Sequence, residues 1–280
     1  MTTKQTTPKL AFSTLGCPEW TLDKIISAAV EYGFDGIDFR GCGYELDIRH
    51  VPEFSPERIH DTADRIKGAG LSVSGLSSSA RLLPGTDSSP ELSMGEIRDY
   101  IKMASVLGAE VVRVFPGPLG TRTYGDALAE ASARLREAAS AASGSGVGIC
   151  IETHDDWVET AKLAEIFDAA GDPEGTGVLW DVHHPYRLKG ENINDSYGNI
   201  GSRTVYTHWK DSVLLQPGKP EYKLVPAGEG DVPLRAIHEL LRGGGYCGWY
   251  TLEWEKRWHK DIAEPETAFP AFVREIKSFG

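Results

Sequence analysis

The chain has 280 residues, 40% of them hydrophobic and 25% charged, which is typical of a globular protein. This length suits two small domains or one α/β barrel of about 250 residues. The formal net charge of -12 argues against a protein that covers nucleic-acid phosphates with a basic face. No apolar run approaches the ~18 residues of a membrane span, and residues 1–8 show no secretion signal. We therefore expect a soluble cytoplasmic protein without nucleic-acid or membrane partners.

The cysteines lie far apart and form no CxxC pair. This spacing indicates reduced packing residues rather than a disulfide framework. The four positions are Cys17, Cys42, Cys150 and Cys247.

Short apolar segments typical of strands recur along the whole chain. The predicted strands are residues 9–13, 36–39, 71–76, 110–115, 147–152, 177–181, 204–208 and 249–253. Each interval between them contains helical periodicity or helix-boundary signals.

The helix signals also follow in chain order. Thr21 caps the first predicted helix, which Gly33 ends. Ser55-Pro56 predicts the start of the second helix, and the capping-box pattern of Ser93 and Glu96 predicts the start of the third. The remaining predicted helices are residues 128–142, 157–170, 233–243 and 264–279, with the weakest signal at 190–201.

In this pattern no strand follows another without a crossover, which favours a parallel sheet. Eight such units predict a single (β/α)8 TIM barrel, with the active site at the C-terminal ends of the strands. We expect one domain over residues 1–280, with residues 1–8 as a flexible N-terminal tail.

Four predicted strands in succession end in a residue that binds metals. Glu152, Asp181, His208 and Glu253 end strands five to eight, so all four point into one mouth of the barrel. Three carboxylates and an imidazole suit Mn²⁺ or Mg²⁺, and they also accommodate Co²⁺ or Zn²⁺. A single acid at a strand end is more often a helix cap or a loop residue. The occurrence of such residues at the ends of four successive predicted strands is what predicts a metal site.

The surrounding motifs carry a family resemblance. Residues 151–154 (IETH), 180–185 (WDVHHP), 208–211 (HWKD) and 252–255 (LEWE) resemble the xylose isomerase-like TIM barrels, a group of sugar isomerases and epimerases. Residues 228–233 are similar to the glycine turn that follows strand seven in this group. The resemblance implies one divalent cation bound by the four strand-end residues, and a substrate contact from His184.

Two patterns of this group differ from the present chain. Its ketose 3-epimerases carry a substrate-binding Arg in the loop after strand seven, whereas residues 212–218 contain none; Lys219 and Lys223 come later. Endonuclease IV, a DNA-repair relative, uses a larger His-rich set for three zinc ions, which this acidic chain does not obviously supply.

Several further residues are candidates for the substrate pocket. Lys210 and His154 each follow a predicted ligand by two positions, so in an extended segment they face the same way as that ligand. Arg113 lies within strand four, where a buried charge needs a partner, either a pocket carboxylate or another group of the barrel layer. His183 alternates away from His184 and is expected to be structural. Residues 255–257 are expected to form a solvated turn.

Five tryptophans suit either a sugar site or core packing, and packing is the expected role of each. They are Trp20, Trp157, Trp209, Trp254 and Trp258.

The leading hypothesis is a metal-dependent isomerase or epimerase for a sugar, sugar phosphate or polyol-derived ketone. Glu152 and Glu253 would exchange protons with a metal-stabilised enediolate. A metal-assisted hydride shift is the alternative mechanism. An inosose dehydratase-like lyase, a phosphodiester hydrolase and a non-catalytic binding barrel are the alternative functions. The expected partner is a small carbohydrate, and homo-oligomer formation is left open.

Overall fold

The computed structural model describes residues 8–86, 88–216, 219 and 221–280. Eight of its strands form a barrel: β1 (Lys9–Ser13), β2 (Gly36–Phe39), β3 (Ser72–Arg81), β4 (Val111–Phe115), β5 (Gly148–Glu152), β6 (Thr176–Asp181), β7 (Thr204–Trp209) and β10 (Trp249–Leu252). The barrel closes in the order β1-β10-β7-β6-β5-β4-β3-β2, and every neighbouring pair is parallel. This confirms the predicted (β/α)8 barrel. The expected tail, residues 1–8, lies outside the described residues except for Pro8.

Helices connect the barrel strands. They are α1 (Leu22–Tyr32), α2 (Ile59–Gly68), α3 (Pro90–Leu107), α4 (Tyr124–Ala142), α5 (Thr160–Ala170), α6 (His184–Lys189), α7 (Ile193–Ile200), α8 (Leu234–Gly243) and α9 (Pro265–Lys277). The boundaries of α1 are as predicted: the Thr21 side chain accepts the Lys24 N–H, and Gly33 ends the helix with φ 79°. Over the described residues, no helix combines the length and apolar character needed to cross a membrane.

Two predicted helix starts are wrong. α3 begins at Pro90, capped by Ser89, so Ser93 and Glu96 lie inside it rather than forming a capping box. Their side chains instead bind the backbone of the extended β3, where Ser93 Oγ donates to Arg81 O and Glu96 accepts the Ser79 N–H. The second helix begins at Ile59, because residues 55–58 form a turn.

A hairpin follows β7 and contradicts the expected absence of adjacent strands without a crossover. β8 (Asp211–Leu214) pairs antiparallel with β9 (Tyr222–Val225) outside the barrel. The Asp211 carboxylate accepts the backbone N–H groups of Gly228 and Gly230 beyond the hairpin. A Cβ at Gly230 would lie 1.9 Å from Asp211 Oδ1, so this close approach requires glycine.

The barrel interior is layered. One layer of its lining is mainly apolar and includes Val111, Cys150, Leu179 and Tyr206, all buried. A much larger apolar core lies between the barrel and its helices. All four cysteines are free, but Cys247 is exposed and therefore is not the packing residue we expected.

Candidate active site

The four strand-end residues meet at one place in the structure. Glu152 ends β5, Asp181 ends β6, His208 lies one residue before the end of β7, and Glu253 directly follows β10. One potential ligand atom from each lies within 4.8 Å of those from the other three, and all four side chains are buried. The structure therefore brings together the residues that the sequence pattern grouped.

The alternation of side chains along each strand explains this cluster. Glu152 follows Cys150 by two residues, Asp181 follows Leu179, and His208 follows Tyr206. Residues two apart on a strand face the same side. Each strand therefore contributes an apolar residue to the inner layer and a polar residue one step nearer the mouth.

In each of the two glutamates, one carboxylate oxygen contacts a cationic side chain and the other faces His208. Glu152 Oε2 accepts a hydrogen bond of 2.6 Å from Arg113 Nη1, while its Oε1 lies 3.6 Å from His208 Nδ1. Glu253 Oε2 lies 2.5 Å from Lys210 Nζ, and its Oε1 lies 3.2 Å from the same His208 Nδ1. One oxygen of each glutamate thus faces the histidine.

The two carboxylate oxygens of Asp181 also have different surroundings. Its Oδ1 accepts the backbone N–H groups of His183 and His184, which open α6, at 2.9 and 3.0 Å. Its Oδ2 is buried without a partner in hydrogen-bonding geometry, although Lys210 Nζ lies 2.9 Å away. The carboxylate therefore stabilises the helix start and still presents one oxygen to the cluster.

The imidazole of His208 also contacts a carboxylate that the sequence analysis did not identify. Its Nε2 lies 3.2 Å from Asp38 Oδ2, and Ser77 Oγ donates to both oxygens of Asp38. Such a carboxylate orients an imidazole and makes its other nitrogen a better ligand. The only available signal was a lone acid in the apolar strand β2.

Opposite charges dominate the electrostatics of the cluster. Burial by itself disfavours charge on Glu152, but Arg113 holds the pKa of this carboxyl well below its usual range. Burial acts similarly on Glu253, where Lys210 and His208 lower the pKa. Burial would lower the pKa of Lys210, but Asp181, Glu253 and the other nearby carboxylates raise it. Cationic side chains of the protein therefore offset part of the repulsion among the clustered carboxylates.

Lys210 lies at the centre of this charge network. It is almost fully buried, and its Nζ is 2.5 Å from Glu255 Oε1 and 3.4 Å from His184 Nε2. The expectation of a solvated turn at residues 255–257 is therefore wrong for Glu255, because this side chain is a partner of the buried lysine. Lys210 faces the same site as His208, as their spacing predicted.

The two candidate histidines lie beside the cluster. His184 Nδ1 is 3.2 Å from Thr153 O, and its ring is 5.3 Å from that of His154. His154 is half-buried and packs on Phe115. His183 Nε2 lies 2.9 Å from Ser212 Oγ, and its ring is 6.0 Å from that of His184, so its structural role stays a prediction.

A polar cavity of about 420 Å³ opens over the cluster. Its lining includes Arg40, Arg113, Glu152, His154, His184 and Glu253. Tyr222 of the hairpin and Trp258 also line it, and Trp258 is the exposed member of the five tryptophans that we considered. A larger cavity, of about 690 Å³, includes none of the four clustered residues. We assign the site to the smaller cavity because the buried ionisable groups lie there.

The donor set fits a divalent cation. His208 Nδ1 and Asp181 Oδ2 are buried without hydrogen-bond partners, and a glutamate oxygen lies close to the imidazole from each side. Polar atoms that converge on one point without well-aligned hydrogen bonds to the protein are available to a ligand. Three oxygens and one nitrogen suit Mg²⁺, Mn²⁺, Co²⁺ or Zn²⁺.

A family comparison agrees with this geometry. The model of the xylose isomerase-like TIM barrel family matches residues 26–276. The chain belongs to this family. The matched range includes all four clustered residues of this xylose isomerase-like barrel, as well as Arg113, His154, His184 and Lys210.

Solved structures share the fold of this xylose isomerase-like barrel at low sequence identity. The IolI protein with a bound zinc atom is 19% identical with a TM-score of 0.79, over 97% of this chain and 99% of that one. The 3-keto-D-glucoside 4-epimerase YcjR from E. coli is 14% identical with a TM-score of 0.76, over 97% and 100%. The probable 3-DHS dehydratase AsbF from Bacillus anthracis is 18% identical with a TM-score of 0.75, over 96% and 97%. No curated protein matches the sequence significantly.

Proposed function

We propose that this protein is a divalent-metal-dependent isomerase or epimerase for a sugar, sugar phosphate or polyol-derived ketone. The observation that carries the proposal is His208 Nδ1, which is buried, has no hydrogen-bond partner and lies between a Glu152 oxygen and a Glu253 oxygen. Membership of the xylose isomerase-like family and the polar cavity above the cluster support it.

Glu152, Asp181, His208 and Glu253 would hold the cation, with Mn²⁺ or Mg²⁺ favoured by the oxygen-rich set and Co²⁺ or Zn²⁺ accommodated by the imidazole. When bound, the cation would stabilise the negative charge that develops on substrate oxygens as a proton leaves carbon. IolI with its zinc atom supports a cation in this fold.

The glutamates are the proposed proton-transfer groups. Glu152 and Glu253 approach His208 from β5 and from the end of β10, so they meet a bound substrate from different sides. Arg113 and Lys210 favour the charged forms of these carboxylates and fix one oxygen of each. One glutamate would take the proton from a carbon next to the carbonyl, and the other would return it to the opposite face or the neighbouring carbon.

Other cavity residues would bind and orient the substrate. His184 and His154 line the cavity beside the cluster and would hydrogen-bond substrate hydroxyls. Lys210 is buried with its Nζ 3.4 Å from His184 Nε2 and would bind a substrate oxygen beside that histidine, and Arg113 would contact substrate while it holds Glu152. In these roles the four residues define the substrate orientation without ligating the cation.

A dehydratase is the second candidate. Expulsion of a hydroxyl requires an acid for the leaving group in addition to a base. His154, His184 and the His184 neighbour Lys210 provide proton donors around the same cavity, outside the four-residue cluster. AsbF supports this alternative within the fold.

The test is a panel of ketoses, ketose phosphates and inososes, incubated with cation-loaded protein and analysed by mass spectrometry and chromatography. Isomerisation gives a new compound of unchanged mass, whereas dehydration lowers the mass by one water. Glu253→Gln should lose either activity, whereas Arg122→Gln, a change in a half-buried ion pair with Glu130, should retain it. Phosphodiester cleavage, or ligand binding without turnover across the panel, would contradict the proposal.

A further inference from the structure

Among the described residues, Arg40 of the cavity wall forms no ion pair with a carboxylate, whereas Arg113 of the same wall pairs with Glu152. Arg40 directly follows β2, two residues after Asp38, so both side chains point into the barrel. Asp38 reaches His208 at the floor of the site, and Arg40, one step nearer the mouth, lines the same cavity as Glu152 and Glu253.

The hydrogen bonds of the Arg40 guanidinium leave its charge unpaired. Its Nη2 donates to Ser79 Oγ at 2.9 Å, and its Nη1 is buried without a partner. Within the described part of the chain, no carboxylate forms an ion pair with it. Glu96 and Glu253 act on this charge without forming an ion pair with it. The Glu96 oxygens face the Ser79 N–H and Arg49, and those of Glu253 face Lys210 and His208.

Arg113 and Lys210 provide an internal comparison. Both are as buried as Arg40, and each contacts at least one carboxylate. An unpaired buried charge is strongly unfavourable. Burial and the neighbouring Arg113 lower the pKa of Arg40 to about 10, which still leaves the group charged at neutral pH. An anionic group of a bound ligand would pair with the Arg40 guanidinium and would explain why this charge is buried beside the cavity.

We propose that Arg40 forms a subsite for an anionic group of the substrate, a carboxylate or a phosphate. The guanidinium presents several N–H donors in a plane, which matches the oxygens of either group. Arg81 and Arg113 line the same cavity together with four carboxylates, whose negative charge a bound cation would offset. This inference rests on the proposed function, because it names the substrate class of that site.

The test compares three ligands that differ only at one end: a ketohexose, its terminal phosphate and the corresponding keto sugar acid. Equilibrium dialysis of cation-loaded protein counts bound ligand whether or not it has been isomerised. Wild-type protein should bind at least one of the anionic ligands about 10- to 100-fold more tightly than the neutral sugar, the size expected for charge-assisted hydrogen bonds. Preference for the phosphate or for the acid then identifies the anion.

Arg40→Gln should abolish this preference and leave the affinity for the neutral sugar unchanged. Arg40→Lys should retain part of it, and Arg122→Gln should retain all of it. Equal binding of the three ligands by wild-type protein would overturn the inference, as would an Arg40→Gln variant that weakens all three equally. Metal-dependent turnover of neutral sugars, together with equal binding of the three ligands, would refute the subsite but leave the proposed function intact. Arg40-dependent binding of an anionic ligand without any turnover would support the subsite and refute the proposed function.

Discussion

Arg113 Nη1 and Glu152 Oε2 lie 2.6 Å apart, and both side chains are almost completely buried. The guanidinium also stacks over the Phe115 ring, with its carbon 3.7 Å from the ring centroid. This ion pair fixes the rotation of the Glu152 carboxylate, so that the other oxygen faces His208. The charge of Arg113 thereby determines which oxygen of Glu152 is left for a ligand.

Loss of one partner of this pair should strongly destabilise the protein. Arg113→Met leaves the Glu152 carboxylate buried without its cation, and we expect the free energy of unfolding to fall by about 3–5 kcal/mol. Adding Glu152→Gln should recover part of the loss, because the uncompensated charge disappears. Urea denaturation of the four proteins measures this coupling. The exposed pair Arg98–Glu137 is the control, where the same cycle should give less than about 1 kcal/mol. Equal coupling in both cycles would contradict the role assigned to burial.

The carboxylate behind His208 should control the affinity for the cation. Asp38→Asn removes the charge that orients the imidazole through its Nε2, and we expect cation affinity to fall about 10- to 100-fold while the fold persists. Ser77→Ala, which removes a hydrogen bond to Asp38, should have a smaller effect. Calorimetric titration with Mn²⁺ measures both. Unchanged affinity in Asp38→Asn would show that His208 does not depend on this contact.

The family pattern and the alternation of side chains made the barrel and the cluster predictable from sequence. Glu152, Asp181 and His208 each sit at the polar end of an apolar strand, and their common phase places them on one side of the barrel wall. Lys210 followed from the same two-residue period. These features depend on local order in the chain, which the sequence displays directly.

Contacts between distant segments were not predictable in this way. Asp38 lies in β2 and Arg40 directly follows it, far in sequence from the β7 residue His208. The sequence around Glu255 is typical of a polar turn, and only the fold shows that this side chain contacts Lys210. Ser93 and Glu96 match a capping box locally, but their side chains bind β3 instead. In each case tertiary contacts override the local preference.

His184 should contribute to substrate binding rather than to cation binding. Its imidazole lies beside the cavity, while Asp181 Oδ1 is held by the backbone N–H of residue 184, which any side chain there retains. We expect His184→Ala to lower kcat/KM about 10-fold, the size of one lost hydrogen bond, with unchanged cation content. Steady-state kinetics and elemental analysis of the same preparation measure the two quantities. Loss of the cation would make His184 a ligand, and unchanged kinetics would make it structural.

Proton transfer through the glutamates predicts exchange with solvent. A proton held by Glu152 or Glu253 in a cavity open to water exchanges before it returns to the substrate. In D₂O, product isolated at early conversion should therefore carry deuterium at the reacting carbon, as detected by NMR. The control is product incubated with Glu253→Gln, which should gain no deuterium. Turnover of wild-type protein without deuterium at early conversion would indicate a hydride shift instead.

The central claim is that Glu152, Asp181, His208 and Glu253 bind one divalent cation. The most direct measurement is the cation content of purified protein, dialysed against mixed Mn²⁺, Mg²⁺, Co²⁺ and Zn²⁺ and analysed by mass spectrometry of the elements. We predict one cation per chain in the wild type and in His238→Ala, a buried histidine outside the cluster, and almost none in His208→Ala with the fold retained. A wild-type protein without a stoichiometric cation, or a His208→Ala variant that keeps it, would contradict the account.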